Sequence, residues 1–150
     1  ASSVELLKQG KAVAVALPEP SVSLVENQPD LYISLNYREQ WDMATGSDRG
    51  YPQVAPFVKA DWAAANGETI ARFNEGVASA IEEIGEDPGR AVDETRDALG
   101  LPAEVLRSSL RRTDFAYVDG DALAAEIRNY SATAGAPLDE KFDAFFYHER

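Results

Sequence analysis

The first twenty residues pass from a helical pattern to an unbroken apolar run. Ser2 and Glu5 match the S-x-x-E capping box, which predicts a short helix starting here and ending near Gly10. Residues 12–17 are all apolar, which is typical of a strand covered on both faces in an α/β sheet. The two prolines that follow cannot continue a strand ladder, so the strand is predicted to end in a Pro-Glu-Pro turn.

Two later segments also carry strand patterns. Residues 31–35 alternate apolar and polar side chains, and residues 53–58 form another run of strand-forming residues. Pro56 places the second of these at a sheet edge or a bulge. Residues 36–43 are predicted to form a turn or a helical turn that carries Trp41. The first sixty residues therefore predict about three strands joined by short helices and loops.

From residue 61 onward the apolar positions recur at helical spacing. The predicted helices are 61–66, 68–84, 88–99, one that carries Val105, Leu106 and Leu110, and one that runs from Asp119 or Asp121 to Gly135. The prediction is an α/β chain in which about three strands precede a helix-rich C-terminal half.

Composition narrows the function classes. The chain has 150 residues, which is enough for one domain with a core, and a formal net charge of −12. That charge argues against nucleic acid, whose phosphates require Lys and Arg, and against docking on anionic lipid. The absence of cysteine excludes disulfides and thiolate metal sites. No apolar run approaches the length of about 20 residues that a membrane-spanning helix needs.

Residues 7–20, LKQGKAVAVALPEP, combine a Gly-Lys pair, the apolar run and a Leu-Pro-Glu-Pro end. This segment resembles solute-binding proteins of ABC transporters of the nitrate, sulfonate, taurine and thiamine-precursor type, which have a two-lobed type II periplasmic-binding fold. The resemblance continues through Trp41, residues 52–62 and residues 68–99, and covers the last third only by its helical pattern. One position departs: the family usually has Asp where this chain has Val13, so any polar contact of that Asp is absent.

The resemblance implies a domain plan, a set of partners and a location. Residues 1–20 would end the second lobe and cross the hinge, and residues 21–150 would form the C-terminal part of the first lobe with its C-terminal helices. The implied partners are a small anionic or heteroaromatic solute, an ABC permease and the N-terminal half of the same protein, with a homodimer of this chain as a further expectation. The implied location is extracytoplasmic, in the periplasm or lipid-anchored, with a targeting signal outside this chain. No cofactor and no nucleic-acid partner are expected.

The Pro-Glu-Pro turn is the first candidate site. Glu19 and Ser21 are predicted to line the cleft between lobes, and Pro18 and Pro20 to form a rigid hinge neighbour. The alternative is a hinge turn whose glutamate is only solvated.

Two further segments are candidate ligand contacts. Trp41, with Tyr37 and Tyr32, would form an aromatic wall for a planar ligand, or alternatively belong to the core. The loop of residues 45–50 would bind an anion through its backbone and Arg49, or alternatively be an ordinary glycine-containing loop.

The remaining chemistry is sparse, and the chain is predicted not to be an enzyme. His148 has no second ligand at metal spacing, so no metal site is expected. Arg107, Arg111 and Arg112 form the one basic cluster and are expected to pair with acids. No set of nucleophile and base is present, so an enzymatic function would require Glu19 as acid or base. The main alternative to solute binding is a helix-rich protein-interaction module without a small-molecule ligand.

Overall fold

The computed structural model describes residues 2–48 and 50–147, and every regular element within these ranges is a helix. The described residues form seven α-helices: α1 Ser3–Lys8, α2 Tyr37–Thr45, α3 Ala60–Ala65, α4 Gly67–Glu86, α5 Pro88–Leu99, α6 Ala103–Leu110 and α7 Gly120–Ala134. A 3₁₀ turn, Phe142–Phe145, follows α7.

The predicted α/β fold is wrong for the described part of the chain. Residues 12–17, 31–35 and 53–58, predicted as strands, have irregular backbone and pair with no neighbouring strand. A strand is stable only when a second strand satisfies its backbone N–H and C=O groups. Side-chain composition favours extended backbone but does not supply that neighbour. The partial type II periplasmic-binding lobe built on these strands is therefore not observed.

The helices begin and end where local polar groups satisfy their free backbone groups. The Ser2 hydroxyl accepts a hydrogen bond from the Glu5 N–H at 3.3 Å at the start of α1, as the capping box predicts. At the start of α5, the Asp87 carboxylate accepts from the Arg90 N–H at 2.9 Å. Gly100, with φ of 64°, ends α5 in the left-handed conformation that favours glycine. The helix predicted for residues 88–99 is thus confirmed at both ends.

The chain divides into two compact units. Unit 1 comprises the described residues of Ala1–Ser34 and Ala80–Ala116, and unit 2 comprises those of Leu35–Ser79 and Tyr117–Arg150. The division falls within α4. The hinge boundary expected near residue 20 stays a prediction.

Unit 1 has a small apolar core in which α5 packs against α6. Val92 of α5 is 1% exposed, and Val105 and Leu106 of α6 are buried, as is Val25 from the turns that precede α2. In unit 2 the buried apolar residues among those described are two alanines, Ala63 and Ala124, so less apolar side-chain surface is buried there than in unit 1. Burial of valine and leucine side chains therefore concentrates at the contact between α5 and α6.

Replacing Val92 with threonine is expected to lower the free energy of unfolding by about 1 to 2 kcal/mol, because it replaces a buried methyl group with a hydroxyl that must leave water. Urea unfolding followed by circular dichroism measures the loss. Val13 provides the matched control, since it is 103% exposed and Val13→Thr should leave the unfolding midpoint unchanged. Equal losses in the two variants would contradict a core centred on Val92.

Candidate functional site

The chain turns at the Pro-Glu-Pro segment, as the sequence predicts. The backbone N–H groups of Val22 and Leu24 donate to the carbonyl oxygens of Pro18 and Pro20, at 3.3 and 3.1 Å. Both predicted hinge prolines therefore close the turn through their carbonyls. Ser21, predicted to line the cleft, is half-buried in a continuous run of turns.

Glu19 has both carboxylate oxygens occupied within unit 1. Its Oε2 accepts hydrogen bonds from the Ser23 N–H at 3.1 Å and from the Ser23 hydroxyl at 2.8 Å. Its Oε1 accepts from Nη1 of Arg112 at 3.0 Å. The merely solvated glutamate of the alternative interpretation is thus not what the turn contains, since Glu19 is fixed by three donors.

Arg112 joins this carboxylate to a second one. Its Nη1 also donates to the Ser23 hydroxyl at 3.0 Å, and its Nη2 donates to Oε2 of Glu26. The other oxygen of Glu26 accepts from the Ser108 hydroxyl at 2.5 Å, and Ser108 in turn accepts from Nη2 of Arg111 at 2.7 Å. The members of this Arg112 network are Glu19, Ser23, Glu26, Ser108, Arg111 and Arg112.

The Arg112 network is partly shielded from solvent. The Arg112 side chain is 31% exposed, and those of Glu19 and Glu26 are 14% and 15% exposed. One guanidinium therefore serves two carboxylates that water reaches poorly, and loss of the cation would leave both without compensation. The two acids lie 93 and 86 residues from Arg112 in sequence. The network thus ties the Pro-Glu-Pro turn to the end of α6.

An open recess of about 420 Å³ lies beside the network in unit 1. It is lined by Ser23, Glu26, Asn27, Glu104, Val105, Arg107, Ser108 and Arg111. Its serines are buried, whereas Glu104, Arg107 and Arg111 are exposed. The predicted pairing of the three arginines with acids is observed for Arg112. Arg107 and Arg111 instead line the recess.

Trp41 lies in a half-buried aromatic cluster of unit 2. Its ring centroid is 4.9 Å from that of Tyr130 and 5.7 Å from that of Tyr51, and the two tyrosine rings are 5.7 Å apart. The predicted companions Tyr37 and Tyr32 are both exposed and do not belong to this cluster. These distances are typical of aromatic packing, and the partial exposure leaves part of the ring surfaces accessible to a ligand.

The loop after α2 uses its own backbone donors internally. The Ser47 N–H donates to the Thr45 hydroxyl at 3.2 Å, and the Gly50 N–H donates to Oδ1 of Asp42 at 3.0 Å. These two amides are therefore engaged before any anion approaches. Arg49, the predicted anion contact in this loop, and His148 lie outside the described residues.

Sequence reasoning selected Glu19 but missed Glu26 and Ser108, and it missed the aromatic partners Tyr51 and Tyr130. Glu26 is one of 26 acidic residues, and nothing in its local sequence distinguishes it. Tyr130 lies in the apolar pattern of α7, where an aromatic ring is usual. Only the tertiary contacts identify these residues.

Within residues 2–48 and 50–147, no group of three or more His, Asp or Glu side chains is placed to hold a metal ion. None of the described helices combines the length and the hydropathy that a membrane-crossing helix requires. In comparisons with known proteins, no protein-family model, no curated protein and no solved structure matches this chain.

Proposed function

We propose that this chain is the C-terminal portion of the solute-binding component of an ABC importer. The pattern of residues 7–20 supports the proposal because it resembles that class at the Pro-Glu-Pro turn. The structure adds that this turn is held in one conformation by the Arg112 network. A rigid turn suits a hinge neighbour or a ligand contact, because either must keep its geometry while the protein closes.

The observation that carries the proposal is the exposure of apolar segments predicted to be covered. Val13, Tyr32, Val54 and Phe57 all lie largely in solvent, and each belongs to one of the three apolar segments. Single exposed apolar residues are common, but whole segments of this kind usually mark a surface that another polypeptide covers. In the proposed protein, the N-terminal half of the same polypeptide is that cover.

The proposed mechanism is capture without bond making. The solute binds between two lobes, and the closed form is favoured because the solute has higher affinity for it. The closed protein then docks on a permease in the membrane, which places the function on the extracytoplasmic side. Glu19, Ser21 and Trp41 remain the proposed solute contacts of this chain, and no cofactor takes part.

A panel of solutes tests the proposal on the product of the whole gene. We expect at least one sulfonate, nitrate, pyrimidine or aromatic carboxylate to raise the melting temperature, because a ligand at 100 times its Kd adds about 2.7 kcal/mol of stability. The control is Tyr37→Phe, which changes an exposed side chain outside the aromatic cluster and should keep the same shift. If no solute stabilises the protein, solute capture is contradicted.

The same exposed apolar segments favour a second candidate, a helix-rich protein-interaction module. The two functions differ in what covers these segments. Solution scattering of the chain with and without the N-terminal half separates them, because only the solute-binding proposal predicts that adding this half yields a 1:1 monomeric particle. A protein-interaction module would instead keep its apolar segments exposed after this half is added, and no solute would stabilise it.

A further inference from the structure

We propose that the recess beside the Arg112 network binds a small oxyanion through Arg107 and Arg111. This site is separate from the solute site of the proposed function, because Glu19, Ser21 and Trp41 do not line the recess. The ligand class is a carboxylate or phosphate group on a small molecule.

The two arginines are placed to act together. They lie four residues apart at the C-terminal end of α6, so their side chains leave the same face. Arg111 is oriented by its hydrogen bond to the Ser108 hydroxyl, at 2.7 Å, and the other donors of its guanidinium point to no partner among the described contacts. The side chain of Arg107 makes no hydrogen bond or ion pair among residues 2–48 and 50–147, although its backbone carbonyl accepts from the Arg111 N–H at 3.3 Å. Two guanidinium groups with unused donors match an oxyanion, which accepts such bonds in pairs.

The charged groups around the recess are of both signs. Glu19 and Glu26 share the single charge of Arg112, and the rim carries Arg107 and Arg111, both positive, and Glu104, which is negative. An anionic group is therefore attracted locally, between the two guanidinium groups, whereas a cation at the same place would be repelled by both.

The size and floor of the recess also suit a small ligand. Its volume of about 420 Å³ lies in the lower part of the range for small-molecule sites. Ser23 and Ser108 are 4% and 5% exposed and form a fixed polar floor, since their hydroxyls are already bonded inside the network. The Asn27 side-chain amide on the rim offers a further donor to the ligand.

Titration of the full chain with sodium acetate and with inorganic phosphate tests the site. The readout is the backbone amide shifts of Asn27 and Ser108 in nitrogen-15 spectra, at constant ionic strength set with sodium chloride. We expect saturable shifts with acetate or phosphate that chloride alone does not produce. Arg107→Gln and Arg111→Gln should each weaken binding by about 5- to 30-fold, because each removes a charge-assisted hydrogen bond.

Glu104→Gln provides a gain of affinity that cannot arise from unfolding. Removing this carboxylate should tighten binding by about 2- to 5-fold, because it repels the anion across the rim. Arg72→Gln, which changes an exposed arginine of α4 that does not line the recess, is the matched control and should leave the affinity unchanged.

The proposal is overturned if Arg72→Gln and the recess variants have the same effect, or if Glu104→Gln fails to tighten binding. A positive result here with no solute found in the panel would leave the oxyanion site standing and remove only the transport proposal.

Discussion

Arg112→Gln is expected to lower the free energy of unfolding by about 2 to 3 kcal/mol. The guanidinium of Arg112 donates to Glu19, Ser23 and Glu26. The glutamine side chain is shorter than that of arginine and carries no charge, so it cannot bond to both carboxylates. The two acids, each about 15% exposed or less, would then lack a counterion. Urea unfolding followed by circular dichroism measures the loss.

Arg96→Gln is the matched control for this substitution. Arg96 is also a helix-end arginine with an acidic neighbour, but its side chain is 51% exposed and its contact with Asp97 is 3.7 Å long. Such a pair contributes little in water, so we expect a change within about 0.5 kcal/mol. Equal losses in the two variants would contradict a special role for the Arg112 network.

A double-mutant cycle assigns the energy to a pair of residues. If Arg112 and Glu26 stabilise each other directly, Arg112→Gln should cost much less in a Glu26→Gln background than in the natural one. The expected coupling is about 1 to 2 kcal/mol. Additive losses would show that Arg112 acts through the rest of the network and not through Glu26.

The sequence predicts the helices well because their signals are local. Residues 88–99 are flanked by a proline that suits a first helical turn and by a glycine that adopts positive φ, and both effects act within one turn of backbone. The apolar positions of 68–84 likewise recur on one side of a helix, and α4 extends only a little beyond them at each end. Caps and periodicity require no information about the rest of the chain.

The strands fail for the opposite reason. The apolar run at residues 12–17 is compatible with a buried strand, but a strand also requires a partner at the correct distance and register. That partner is not encoded in the run itself. The described residues supply none, so the run has irregular backbone and Val13 lies in solvent. Such an apolar run is buried only when another part of the same chain, or another chain, packs against it.

The candidate site shows the same division between local and distant information. The prolines on each side of Glu19 predict a turn, and the turn is present. The cation that holds Glu19 comes from a position 93 residues later, which no local pattern could select. Trp41 stays a predicted ligand contact, and its ring neighbours are Tyr51 and Tyr130, not the tyrosines nearby in sequence, Tyr32 and Tyr37.

Trp41→Ala is expected to lower the free energy of unfolding by about 2 to 3 kcal/mol, because it removes the ring that contacts both Tyr51 and Tyr130. The value lies below that for a fully buried tryptophan, since the cluster is half-buried.

Trp62→Ala is the matched control. Trp62 is 45% exposed on α3 and shares no described ring contact, so its loss should stay below about 1 kcal/mol. Each variant retains a single tryptophan, so fluorescence during urea unfolding reports the remaining one, and circular dichroism compares stability on a common scale. If the two variants lose the same stability, the aromatic cluster does not hold unit 2 together, and Trp41 becomes free to serve only as a ligand contact.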